Sequence, residues 1–252
     1  MNIYKQIKTL KMNAQATIQL MHKMKLEGMA NAYHAIQELP VNKQPTTHES
    51  IANLVDAEMQ SRTTKRTNMF IRLSKLRYKA SLHDIIYNND RNINKQTIAS
   101  LADCSFIQRH ENIFLTGATG CGKSFIACAL GYQACLYGQR TLYFNMNRFC
   151  EHIAVAKVDG TFIKWINKLK KAKLLILDDF GLQKLSHDVK LALLQILEDR
   201  YGMASTIIAS QLPVSKWHNY IDEPTLADAI LDRLTAKSSR IELKGKSLRK
   251  RS

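Results

Sequence analysis

The sequence predicts an α/β protein, a parallel β-sheet covered by helices on both faces, with a small helical domain ahead of it. Three observations carry that class. Short apolar runs at residues 113–115, 142–144, 174–177 and 206–209 alternate with longer segments of helical spacing, the pattern of strands joined by crossover helices. The run Leu174-Leu-Ile-Leu177 is apolar without alternation, as a strand buried on both faces requires. Gly117-Ala-Thr-Gly-Cys-Gly-Lys-Ser124 stands between the first of these strands and a helix and fits G-x-x-x-x-G-K-[ST] at every constrained position. At 252 residues the chain has room for one such domain and a smaller companion.

Taken in order, residues 1–60 read as an N-terminal helical domain. Leu20, Met24, Met29, Tyr33 and Ile36 roughly follow one helix face, and Pro40 and Pro45 end that helix in a loop. A second helix is expected from His48 or Glu49 into a basic linker, residues 61–90. There Met69, Phe70, Leu73, Leu76 and Arg77 make an amphipathic pattern, apolar toward the α/β domain and basic toward solvent or phosphate. Asn88-Asn89-Asp90 breaks the chain, and residues 91–252 form the α/β core with a basic C-terminal tail. Residues 125–136, rich in Ala, Leu and Ile and free of proline, are the helix that leaves the glycine-rich loop.

The loop has a definite chemistry. Its glycines let consecutive backbone N–H groups turn toward phosphate oxygens, so Gly117, Ala118, Thr119, Gly120, Cys121 and Gly122 form a cradle that continues into Lys123, Ser124 and Phe125. Lys123 reaches the β- and γ-phosphates and the Ser124 hydroxyl takes a Mg²⁺ coordination position, which implies a bound nucleoside triphosphate with Mg²⁺. Asp178-Asp179 ends the buried strand. Asp178 can join Ser124 as a metal ligand, and Asp179 is placed to polarise an attacking water, so hydrolysis is the expected reaction.

Composition narrows the setting. The five cysteines, Cys104, Cys121, Cys128, Cys135 and Cys150, contain no C-x-x-C pair and read as small buried side chains of a reduced protein. No apolar stretch approaches membrane-spanning length and the first 30 residues hold no signal-peptide core, so a cytoplasmic protein with no membrane partner is expected. The formal charge is +16, and it is unevenly placed. Residues 61–80 hold seven Lys/Arg and no acid, and residues 237–252 hold seven against Glu242, so these two segments carry +13 of the total and read as the footprint of a polyanion.

Further along, the strand Thr206-Ile-Ile-Ala209 ends in Ser210-Gln211, and the chain later reads Asp228-Ala-Ile-Leu-Asp232-Arg233-Leu234. With the GATGCGKS loop, LLILDDFG, ILEDRYG, ASQLPVSKWH and RIELKGKSLRK in this order, residues 100–250 resemble the AAA+ ATPases of the helicase-loader branch, and most of all the IstB-like ATP-binding proteins that accompany insertion-sequence transposases. The resemblance implies that Ser210 or Gln211 is a polar sensor beside the phosphates. It implies that Arg233 is an arginine finger reaching a neighbouring subunit's site. The family also implies a homo-oligomer on double-stranded DNA and, met through the N-terminal helices, the transposase of the same element. In Asp179 the chain has the shorter of the two acids found at that position, compatible with slow turnover. Only 19 residues follow Arg233, so no C-terminal lid domain is expected and the adjacent protomer would enclose the nucleotide.

The expected function is an ATP-dependent, largely sequence-nonspecific DNA-binding helper ATPase that oligomerises on DNA and supports a transposase in target selection. The alternatives are a replicative helicase loader of the DnaC type and a nonhydrolysing nucleotide-gated DNA-binding scaffold. A small-molecule kinase leaves the charge clusters unexplained.

Overall fold

The computed structural model describes residues 13–87, 91–245 and 247–248. The break at Asn88-Asn89-Asp90, residues 1–12, and positions 246 and 249–252 of the basic tail lie outside the described residues. The chain divides into two compact units, Met1–Asn68 and Met69–Ser252.

In the first unit the single helix expected through Leu20 and Ile36 is two. Helix α1, Ala14–Lys23, is opened by the Asn13 side chain, which accepts the Ala16 N–H at 2.8 Å. It closes where Lys25 turns to φ 61°, and the N–H groups of Met24, Lys25 and Leu26 fold back on the last carbonyls of α1. Met24 is therefore exposed instead of lying on a buried stripe. Helix α2, Glu27–Gln37, approaches α3, Thr47–Ser74, through Gly28, where a Cβ would stand 2.3 Å from the Ala57 carbonyl oxygen. The close approach lets the Glu58 carboxylate accept from the N–H groups of Gly28 (2.8 Å) and Met29 (3.2 Å), so a residue of α3 caps α2 and meets the positive end of its dipole.

Helix α3 ends at Ser74, and Lys75 follows at φ 56°. The amphipathic helix expected to continue through Leu76 and Arg77 stops short of them. Leu76 and Ala80 instead pack as part of the core, and Ser81 and Asp84 form a reciprocal cap that fixes the next turn.

The second unit leads through α4, Lys95–Ala102, and the short α5, Ser105–Gln108, into β1, Asn112–Gly117. Then follow α6 (Lys123–Leu136), β2 (Thr141–Asn145), α7 (Met146–Val158), α8 (Phe162–Lys170), β3 (Leu174–Phe180), α9 (His187–Arg200), β4 (Ser205–Ser210), α10 (Trp217–Ile221), α11 (Pro224–Thr235) and β5 (Ser238–Leu243). The sheet order is β2-β3-β4-β1-β5 and every pairing is parallel. Strand residues alternate between two cores. Ile113, Leu115, Ile176 and Ile207 pack with α4 and α6 on one face, while Phe114, Leu175, Leu177 and Ile208 pack with α7 to α11 on the other. The four expected strands lie inside the observed ones.

The fifth strand corrects the sequence expectation of a basic tail. Ser238-Ser-Arg-Ile-Glu-Leu243 pairs in register with β1, from Asn112↔Ser238 to Gly117↔Leu243. Ile241 and Leu243 are buried while Arg240 and Glu242 are exposed, the alternation and charge of an edge strand. Arg200, in the ILEDRYG segment, is also structural. It is 2% exposed and donates to the carbonyls of Leu169, Ala172 and Ser205, tying the end of α9 to the entries of β3 and β4, and burial brings its pKa down to about 10.

Candidate nucleotide site

Strand β1 delivers the chain into the glycine-rich loop, and α6 leaves it with its N-terminus facing the cleft. Gly117 has φ 142° and Gly122 φ 99°, conformations that side chains other than glycine rarely adopt. A Cβ on Gly117 would lie 2.1 Å from the Leu243 carbonyl oxygen, and one on Gly122 would lie 2.6 Å from the Arg91 guanidinium. Lys123 is 6% exposed, and its ammonium donates to the carbonyls of Gly117 and Ala118 at 2.8 Å each, so the cation is held within the loop it serves. Beneath the loop, Arg91 donates to the Cys121 carbonyl at 2.7 Å and to that of Ile86, and burial lowers its pKa.

Strand β3 brings the acids to the same place. Asp178 is fully buried: its Oδ1 accepts from the Ser124 hydroxyl (2.9 Å) and the Asp179 N–H (2.9 Å), and its Oδ2 accepts from the Tyr143 hydroxyl at 2.6 Å. Burial first, and then the charge of Asp178, push the Tyr143 phenol above its usual range, so it remains a donor. The β3–β4 register shifts between Leu177 and Phe180, and Asp179 sits in that irregularity at φ 60°. There its Oδ2 accepts from the Asn145 amide at 2.5 Å and lies 3.5 Å from Arg77 Nη1, which is 3.9 Å from Asp178 Oδ2.

The sequence left Ser210 and Gln211 open as alternatives, and their environments differ. The Ser210 hydroxyl is buried, donates to the Phe180 carbonyl (2.6 Å) and accepts from the Leu212 N–H (3.0 Å), so it ties β4 to the end of β3. Gln211 lines the cleft, and its Oε1 accepts from the Thr119 hydroxyl at 2.7 Å. Arg233 is not brought to this cleft. Its backbone carbonyl and that of Leu234 accept from the Asn112 side chain at the far end of β1, about 17 Å of strand from Gly117, and its guanidinium pairs with Glu198 (2.6 Å) and Asp232 (3.3 Å).

The cleft holds about 220 Å³ and is bounded by Tyr78, Thr119, Lys123, Asp179, Gln211 and Leu248. Pockets for small molecules run from about 300 Å³ upward, so this cleft is small for a whole nucleotide. Leu248 donates its N–H to the Gly120 carbonyl at 3.0 Å, which sets Ser247 and Leu248 against the loop. The donors fit a divalent metal: the Ser124 hydroxyl and Asp178 Oδ1 are adjacent hard oxygens. Among the described residues no cluster of three His, Cys, Asp or Glu groups forms a protein-only cage, so substrate phosphate and water would complete the coordination, as Mg²⁺ prefers.

Sequence reasoning missed Tyr143, Asn145 and Arg91, and counted Arg77 only as part of a charge run. A signal existed for Asn145, a polar residue ending an apolar strand, which pairs in register with Asp178. It also missed a groove of about 920 Å³ lined by Arg140, Trp165 and three cations of the α8 segment, Lys164, Lys168 and Lys171. Their i, i+4, i+7 spacing was readable as one helix stripe, and none of the four cations pairs with a carboxylate among the described residues, whereas Lys170 off the stripe pairs with Asp199. All five cysteines are free, and burial pushes the Cys104 thiol up to about 12. No helix of the described residues is long and apolar enough to cross a membrane.

Known proteins resemble the chain in sequence and in fold. The family model of the IstB-like ATP binding protein matches residues 19–252. An insertion sequence ATP-binding protein of Sinorhizobium fredii is 39% identical over 239 residues, spanning 95% of this chain and 98% of its own. An insertion sequence ATP-binding protein of Pseudomonas fluorescens is 38% identical over 205 residues, spanning 81% of this chain and 89% of its own. Among solved structures, DnaI superposes with TM-score 0.56 at 20% identity over 70% of this chain and 94% of its own. The DnaC helicase loader does so with TM-score 0.56 at 19% identity over 66% and 98%. At that identity the two structures establish the AAA+ P-loop fold alone.

Proposed function

Because the chain belongs to the IstB-like ATP-binding protein family and is an AAA+ P-loop ATPase, we propose that it is the ATP-driven helper of an insertion sequence, assembling on double-stranded DNA and presenting that DNA to the element's transposase. One observation carries the catalytic part: Ser124 Oγ and Asp178 Oδ1 stand 2.9 Å apart at the N-terminus of α6, with Asp179 turned out of β3 beside them. Loop N–H groups and Lys123 would bind the β- and γ-phosphates. Ser124 and Asp178 would hold Mg²⁺, which when bound neutralises charge on the transferred phosphoryl group. Asp179, fixed by Asn145, would orient and polarise water, and Gln211 would report the terminal phosphate to Thr119 and the loop.

Arg233 lies at the end of β1 away from its own loop, so its proposed finger role requires a neighbouring copy. DNA binding is supported by the exposed cations Lys65, Arg72, Lys75 and Lys79 and by the groove of Arg140, Lys164, Lys168 and Lys171. Such contacts are to phosphate and need no base sequence, as suits target DNA of any sequence, and a cytoplasmic location fits the same role.

Phosphate release measured with and without duplex DNA, for wild type and Lys123→Ala, tests the reading. Wild type should hydrolyse ATP faster on DNA, and the variant should neither bind ATP nor assemble. Assembly of the variant indistinguishable from wild type refutes nucleotide gating, and absence of wild-type hydrolysis under every condition favours the nonhydrolysing scaffold.

A further inference from the structure

The acidic pair of the nucleotide site carries a cation from its own chain. The segment after α3 is pinned on both sides: Leu76 packs against Gly131 of α6, Ala80 is buried, and between them Arg77 and Tyr78 project toward the cleft. The Arg77 guanidinium lies 5.3 Å from the Tyr78 ring centroid, and the Tyr78 ring meets Phe125 in the first turn of α6. From that perch Nη1 faces Asp179 Oδ2 and Asp178 Oδ2 at 3.5 and 3.9 Å.

Arg77 is not needed to satisfy either acid. Asp178 already accepts from Ser124, Tyr143 and the Asp179 N–H, and Asp179 from Asn145. The contact is also loose. Arginine and carboxylate in a paired fork approach to about 2.8 Å, whereas this guanidinium stands well outside that distance and its side chain is 40% exposed. A cation resting without a tight bond on the Oδ2 atoms of two carboxylates neutralises, from that side, the negative charge that a divalent metal held through Ser124 Oγ and Asp178 Oδ1 would otherwise meet.

We infer that Arg77 is an exchangeable counter-cation of the Asp178–Asp179 pair: it occupies the pair until a divalent cation enters, and so raises the metal concentration at which the site loads. The inference rests on the ATPase reading of the same site and adds a residue that the loop and strand motifs do not contain. Metal entry then frees the Arg77 guanidinium, while Leu76 and Ala80 keep the backbone of the segment, and with it Tyr78 at the wall of the cleft, in place.

The test is a titration of Mn²⁺ alone, read by electron paramagnetic resonance on the full chain, for wild type, Arg77→Ala and Arg77→Lys, each first checked for an unchanged melting curve. Arg77→Ala should bind Mn²⁺ with a midpoint about three- to tenfold lower, the size expected of a partly exposed ion pair acting on two acids. Arg77→Lys should fall between the two, because it keeps the charge and loses the planar fork. Equal midpoints, a raised midpoint in Arg77→Ala, or no Mn²⁺ bound by any of the three proteins overturns the inference. Binding of a fluorescent ATP analogue at saturating Mg²⁺ is measured alongside. If wild type fails to bind it the nucleotide reading falls, and if it binds while the Mn²⁺ midpoints coincide only the Arg77 inference falls.

Discussion

Replacing Tyr143 by Phe removes one oxygen atom and nothing else from the centre of the site. In the native structure that oxygen donates to Asp178 Oδ2 at 2.6 Å, and the carboxylate is 1% exposed. With the phenol gone, the nearest remaining donor to Oδ2 is Arg77 at 3.9 Å, too far for a hydrogen bond, and water has little access. A hydrogen bond to a charged group contributes about 1.5–3 kcal/mol, and a buried acceptor left unpaired lies toward the upper part of that range. The expected loss is about 2 kcal/mol, or about 4–8 °C in melting temperature for a unit of this size, read by calorimetry in EDTA. Function should suffer less than the acid itself would suggest, because Ser124 and the Asp179 N–H still orient Oδ1. Metal-dependent binding of an ATP analogue should weaken about tenfold, the usual consequence of losing a group that orients a metal ligand. A melting temperature equal to wild type would refute the reasoning, since it would mean that the phenol carries no part of the carboxylate's compensation.

Three other outcomes are expected. Arg233→Ala should leave ATP binding near wild type and lower turnover only where copies assemble on DNA; equal stimulated turnover, measured by phosphate release, would reduce Arg233 to a surface partner of Glu198. Changing Lys164, Lys168 and Lys171 together to Glu should weaken DNA binding and flatten the dependence of log affinity on log salt by about three counterions, and an unchanged slope would remove the α8 groove from the DNA path. In native protein at pH 8, Cys104, Cys128 and Cys135 should resist iodoacetamide while denaturant exposes them, since burial raises all three thiol pKa values; rapid native labelling, located by mass spectrometry, would contradict their burial.

The strands β1 to β4 were legible because each is a short apolar run, and burial on both faces leaves little choice of residue. β5 was not, because an edge strand alternates apolar with charged residues, and Arg240 and Glu242 looked like part of a basic tail. The break between α1 and α2 was missed for a different reason. No proline or glycine marks Met24-Lys25-Leu26, and the left-handed turn at Lys25 is held by returning backbone bonds that composition does not announce.

By itself the sequence determined the phosphate loop, the acid pair and their family, because those parts act through backbone conformation and residue types fixed at close spacing. It also determined the basic character of the surface. Tertiary structure decided what lies around them. Tyr143 and Asn145 reach Asp178 and Asp179 only because β2 lies beside β3, and Arg77 reaches the same acids from a turn about a hundred residues away in sequence. Parallel pairing and packing create such juxtapositions, and a pattern of one side chain every few residues holds no record of them. The same packing placed Gln211 in the cleft, Ser210 in the core and Arg233 at the far end of β1. Of the groups that the motifs assembled along the chain, only some share one site in space.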